Sequence, residues 1–162
     1  MVSLEVVAIL LSGISISASL FYYANVLKNA NKTRQTQLFL QLYGTTTEEN
    51  IKKVRQLMSW SWNDYDDFVE KYDNNNDQAA LFTAQCQRFN GLGLLAMRNQ
   101  IDMELVYQFA YAPIVALWNK FNEIILRQRE IRNRYSELAG LEYLYNEIVK
   151  MDKNNPTNTN NR

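Results

Sequence analysis

Residues 6–27 read VVAILLSGISISASLFYYANVL, 22 residues without a charge between Glu5 and Lys28. Wound as a helix at about 1.5 Å per residue, such a run covers the roughly 30 Å hydrocarbon core of a bilayer. A cleavable leader opens on basic residues and carries an apolar run of about 7–15 residues. Here the opening is Met-Val-Ser-Leu-Glu, with no Lys or Arg, and the run is longer. A core helix this long and this free of charge is unusual at a chain terminus. Residues 1–27 are therefore read as a retained single-pass transmembrane anchor, with everything after them held at a membrane surface.

Flanking charge sets the expected orientation. The N-terminal flank holds Glu5 and no basic side chain, whereas the C-terminal flank holds Lys28, Lys32 and Arg34. The positive-inside rule then puts the N-terminus outside the cell membrane and the C-terminal domain in the cytoplasm. Phe21, Tyr22 and Tyr23 stand just before Lys28, and aromatic rings favour the headgroup level, so these four residues mark the interface. Ser12, Ser15 and Ser19, with Tyr22, are spaced 3, 4 and 3 apart and share one helix face. Small hydroxyl residues let a second transmembrane helix approach and bond across the gap. They also bond back to carbonyls of their own helix. Both readings stand at this point.

The 135 residues beyond Leu27 suffice for one compact domain with its own core. All 17 basic side chains lie at or beyond Lys28 and only Glu5 of the 17 acidic ones lies before it, so this part carries a net charge of +1. That leaves no global footprint for nucleic acid, which is not expected as a partner. The chain has no histidine, which excludes Ser-His-Asp and Cys-His nucleophiles and His-ligated zinc within it. Cys86 is the only cysteine, so no internal disulfide forms, in keeping with a reducing compartment. It sits in the apolar-periodic stretch Leu81, Phe82, Cys86, Phe89 and reads as a buried thiol.

The rest of the chain is helical in pattern, with no strand run. The anchor helix is expected to continue to about Gly44, with Leu38, Phe39 and Leu42 facing the core. Thr46 and Glu49 fit a capping box, opening a helix with Ile51, Val54, Leu57 and Met58 on one face. Residues 60–64 read as a turn, Asn63 or Asp64 as the cap of a short helix, and residues 73–77 as a polar loop. A helix is expected from Gln78 to Asn99, and a short one from Asp102 through Phe109, broken or restarted at Pro113. A last helical pattern runs from Ile114 to Met151, with Leu117, Phe121, Ile124, Ile131, Tyr135 and Leu138 at near-heptad spacing, Gln128 interrupting and Gly140 loosening it. The expected fold is all-α: one N-terminal transmembrane helix, residues 1–27, continuing into a cytoplasmic domain, residues 28–151, of about five or six helices. A disordered polar tail, residues 152–162, follows.

Several motifs have a plainer reading than their chemical one. Gly91-Leu-Gly93-Leu-Leu-Ala96 matches a dinucleotide fingerprint, but no strand precedes it, and small residues for close helix packing explain it better. Asp73, Asn75 and Asp77 resemble a calcium loop, but Gln78 and Ala84 stand where Gly and Glu are needed. Asp64, Asp66, Asp67 and Glu70 could work as paired carboxylates, yet early Asp residues also suit a helix N-terminus. Asn31-Lys32-Thr33 matches a glycosylation sequon on the expected cytoplasmic side and is set aside. Arg127, Arg129, Arg132 and Arg134 could contact anionic headgroups or an acidic partner. Glu123 and Glu130 stand four residues before Arg127 and Arg134, spacing that suits helical ion pairs.

With the helices placed, the chain resembles an uncharacterised family of small prokaryotic membrane proteins, the domain of unknown function numbered 4760. The resemblance lies in Asn31-Lys32-Thr33-Arg34-Gln35, residues 62–68, Gly91-Leu-Gly93-Leu-Leu, residues 100–107 and Pro113-Ile114 followed by Leu117-Trp118. One departure is the Gly91/Gly93 pair, where a single Gly is expected. The resemblance implies a membrane-anchored helical domain and no known activity, so no catalytic, metal or cofactor residue is assigned. The expected function is a non-enzymatic interaction or scaffold module at the lipid bilayer. It would bind a membrane or cytoplasmic protein, or self-associate, with Trp60, Tyr107, Tyr111 and Trp118 as candidate anchors. The alternative is a domain that recognises a phosphorylated small molecule or an anionic headgroup through the Arg-rich helix.

Overall fold

The computed structural model describes residues 3–43 and 48–154. The capping box around Thr46, Gly44 and residues 155–162 lie outside them. Six α-helices follow in chain order: α1 Leu4–Tyr43, α2 Glu48–Ser59, α3 Tyr65–Phe68, α4 Asn76–Met97, α5 Met103–Arg132 and α6 Ala139–Asn154. A π-helical turn, Val69–Asp73, extends α3. The all-α expectation holds, and no strand occurs among the described residues. The chain divides into two units, residues 1–35 and 36–162.

The first unit is the apolar part of α1. Every described side chain from Ser3 to Arg34 is exposed, including Leu10, Ile14 and Leu20 at 60%, 65% and 66%. By length and composition α1 is a candidate membrane span.

The second unit is a bundle with one core. Its stripes follow the 3.6-residue period: Phe82, Cys86, Phe89 and Gly93 on α4, Val106, Ala110, Ile114, Leu117 and Phe121 on α5, and Leu141, Leu144 and Ile148 on α6 are all buried. Side-chain oxygens satisfy the free N–H groups that open the helices. Asp64 accepts from the Asp67 N–H, Asn75 from those of Asp77 and Gln78, and Asp102 from that of Glu104. The close pairing of α4 with α6 depends on two glycines. A Cβ on Gly93 would collide with the Gly140 carbonyl, and one on Gly140 with the Asn90 carbonyl. Asn90 Oδ1 also accepts the Gly140 N–H at 2.9 Å. Gly91 faces open space, so only one glycine of the pair does this work.

Several expectations need correction. Helix α5 runs unbroken through Pro113. The proline ring leaves the Phe109 carbonyl without its helical donor, and the Tyr43 hydroxyl donates to that carbonyl at 2.6 Å instead. The pattern after Ile114 is two helices. Asn133 turns left-handed at φ 51° and closes α5, and Leu138, also left-handed at φ 58°, precedes α6. Ile131 and Tyr135 are consequently exposed, while Gln128 sits in the core. Gly140 lies in the first turn of α6 as a packing contact. Finally, α6 continues to Asn154, so residues 152–154 are helical; separately, Leu42 at the end of α1 is exposed and does not face the core.

Candidate functional site

The last two turns of α1 dock on the bundle through aromatic rings. Phe39 is buried and stacks on Tyr43 at 5.2 Å between centroids. Phe39 meets Phe109 at 5.9 Å, and Tyr43 meets Phe89 at 6.5 Å. Arg88 on α4 completes the seat. Its Nη2 donates to the Tyr43 carbonyl at 2.6 Å and its Nε to the Leu42 carbonyl at 3.4 Å. Those are free carbonyls at a helix C-terminus, where a cation is favoured. The guanidinium lies 5.0 Å from the Tyr43 ring centroid. Burial pushes its pKa below the ordinary value, with Tyr43 opposing, and an arginine stays protonated regardless.

Beside this seat a cavity of about 240 Å³ opens. Helix α2 supplies Ile51, Val54 and Arg55, α4 supplies Arg88 and Phe89, and Tyr43 contributes from α1. Its lining holds two guanidinium groups and no carboxylate. Neither Arg55 nor Arg88 has an ion-pair partner among the described residues. No motif announced this site, because its lining comes from positions scattered between 43 and 113.

The residues singled out from sequence are arranged otherwise. Ser12, Ser15 and Ser19 donate to the carbonyls of Ala8, Leu11 and Ser15 at 2.8–2.9 Å. Their donors are thus used inside α1, leaving their small size to favour helix approach. Phe21, Tyr22 and Tyr23 are exposed on α1, as is Lys28. The four arginines near the end of α5 do not converge. Arg127 pairs with Glu130 at 2.9 Å, in place of the Glu123 and Arg134 pairings that spacing suggested. Arg129 is buried, ion-paired to Glu142 at 2.7 Å and bonded to the Glu137 carbonyl. Arg132 bridges Glu137 and Asp73. Arg134 alone lines a shallow cleft with Asn133, Tyr135 and Ser136.

Nor do the aromatic candidates stand free. Trp60 and Trp118 are buried, and Tyr107 and Tyr111 are half-buried with their hydroxyls on Asp152. Trp60 stacks on Tyr72 at 4.1 Å, and Lys120 donates to its carbonyl at 2.8 Å. In the acidic cluster, Asp64 caps α3, and Asp67 accepts from Lys71 and from the Asn63 N–H, each at 2.8 Å. The Lys71 bond, then the Asn63 N–H, holds the Asp67 carboxyl below its usual range. Among the described residues no group of acidic, cysteine or histidine side chains could hold a metal ion.

A family model, Domain of unknown function (DUF4760), matches residues 6–148. No curated protein and no solved structure matches the chain.

Proposed function

The chain belongs to the DUF4760 family, and from that premise we propose that it is a membrane-tethered helical interaction module. In this reading α1 stays in the bilayer as a single-pass anchor. The bundle stands on the cytoplasmic side and binds a membrane or cytoplasmic protein. The observation that carries the tether is the exposure of α1, whose apolar window has none of its length buried. Soluble monomers rarely leave more than a few hundred Å² of contiguous apolar surface uncovered. A signal sequence shares this composition, but the flanks of this run do not follow the leader pattern.

An interaction role fits the side chains better than chemistry does. The carboxylates nearest to a catalytic pair are capping α3 or bonded to Lys71. Exposed aromatic residues of the bundle include Phe109 at 60% and Tyr135 at 70%, the latter near Ile131 in sequence at 56%. The Arg-rich stretch is a poor ligand site, because Arg129 is buried and Arg127 and Arg132 are paired.

The test is capture with the full chain in nanodiscs. One partner is expected at equal stoichiometry, lost with Ile131→Glu and Tyr135→Glu. Self-association lost with Ser15→Leu and Ser19→Leu would move the contact to α1. A monomer that retains no partner in either arm would overturn the interaction reading.

A further inference from the structure

We propose that the cavity lined by Arg55 and Arg88 binds a small amphiphilic anion, a carboxylate or phosphate head carrying a short hydrocarbon tail. Charge is the first argument. Elsewhere in this bundle the more buried guanidinium has a carboxylate: Arg129 has Glu142 at 2.7 Å. Among the described residues, half-buried Arg88 meets two backbone carbonyls and two aromatic rings and no carboxylate. A charge withdrawn from water without a counter-ion is costly, and Arg55 adds a second positive charge at the same cavity. An anion placed there meets the Arg55 guanidinium and the Arg88 N–H groups not spent on the Leu42 and Tyr43 carbonyls, with no competing carboxylate in the lining.

The walls supply the other half of the specificity. Ile51 is 42% exposed, and with Val54 and Phe89 it gives the cavity an apolar side. That combination of a few polar groups with apolar walls is the usual character of ligand sites. Size limits the occupant. About 240 Å³ falls below the roughly 300–1,000 Å³ of sites for drug-sized ligands. It equals about eight water-sized groups of roughly 30 Å³ each. An anionic head with several methylenes fits that volume. The inference is independent of the interaction module proposed above, since the site is built wholly from residues of the bundle and the end of α1.

Two sources offer this chemistry, a fatty acid of the bilayer with its head and first methylenes seated in the cavity, and a soluble short-chain acid. The experiment uses the full chain in phosphatidylcholine nanodiscs, titrated calorimetrically with octanoate, octanol and inorganic phosphate against empty discs. Octanoate is expected to saturate one site, with octanol and phosphate each at least about tenfold weaker, the worth of one charge-assisted hydrogen bond. Arg88→Gln also removes the cap on α1 and is prone to misfolding. The test therefore rests on Arg55→Gln, an exposed side chain expected to weaken octanoate about tenfold, and on Ile51→Asp, expected to abolish binding. Equal affinity for octanoate and octanol, or no change with Arg55→Gln, would overturn the proposal. Discs doped with oleate separate the sources. Loss of octanoate binding identifies a bilayer lipid as the natural occupant, and unchanged binding identifies the soluble acid; the site stands in both.

Discussion

Tyr43 shows how one side chain repairs a defect that another creates. Pro113 cannot supply an N–H to the Phe109 carbonyl, and the Tyr43 hydroxyl, 66 positions away, supplies the donor. Tyr43→Phe keeps the ring contacts and leaves that carbonyl unpaired. It should lower stability by about 0.5–1.5 kcal/mol, the net worth of one hydrogen bond at an exposed position, read as a shifted urea midpoint of the full chain in micelles with an unchanged slope. An unchanged midpoint would mean that water serves the carbonyl equally well. The proline was visible in the sequence and so was the expected break; the remedy was not, since nothing local to Pro113 specifies a partner so distant. Cys86 was legible, because its neighbours Phe82 and Phe89 repeat at helical spacing. It is 1% exposed, and burial raises the thiol far above its ordinary range. The thiolate is the reactive form, so maleimide at pH 8 should label the native chain slowly and the urea-unfolded chain fast. The same shift carries a pH dependence. The unfolded thiol ionises above about pH 8.5 while the folded one stays protonated, so its contribution to stability is complete below that pH and falls as pH rises further. A thiol that labels at equal rates in both states would contradict the burial.

Among the elements, helices announced themselves where polar caps precede apolar stripes. Asp64, Asn75 and Asp102 each lie at a chain position whose side chain satisfies an opening N–H, and those starts were readable to within a residue or two. Helix ends were harder. Asn133 supplies the left-handed residue that closes α5, but Asn is a weaker signal than Gly, and the apolar residues beyond it continued the pattern. Leu138 is the least legible position, a bulky residue at positive φ that propensity argues against and that the surrounding packing must hold. The Gly91-Leu-Gly93 stretch was correctly assigned to packing, though the two glycines differ. Gly93→Ala forces a Cβ into the Gly140 backbone, which cannot rotate away as a side chain would, so it should destabilise by about 1–3 kcal/mol. Gly91→Ala meets nothing within 4 Å and should stabilise by about 0.5–1 kcal/mol, the helix-interior advantage of Ala over Gly. Thermal unfolding of the two variants should therefore move in opposite directions. Two shifts of the same sign would mean that α4 and α6 pack otherwise.

At the scale of the whole molecule, the candidate membrane span needed only composition to be read, because a bilayer selects for an uncharged run of one length. The cavity of Arg55 and Arg88 could not be read, because its walls meet only once α1, α2, α4 and α5 have packed. The proposed orientation rests on Lys28, Lys32 and Arg34 against Glu5, and it can be tested with native Cys86 as a silent background. Two added-cysteine reporters suffice, Ser3→Cys before the run and Lys150→Cys on α6, both at exposed positions. A membrane-impermeant maleimide applied to intact cells should modify Ser3→Cys at once and Lys150→Cys only after lysis. Replacing Lys28, Lys32 and Arg34 together by Glu removes the excess of basic side chains on which the proposed orientation rests, so a fraction of chains should insert the other way and exchange the two labelling patterns. If the triple variant labels like the parent, some feature of the bundle other than flanking charge retains it on its side. If neither reporter is protected in intact cells, α1 does not span, and the tether would have to lie along the surface. The two failures read differently, so orientation and insertion are tested separately by one pair of cysteines.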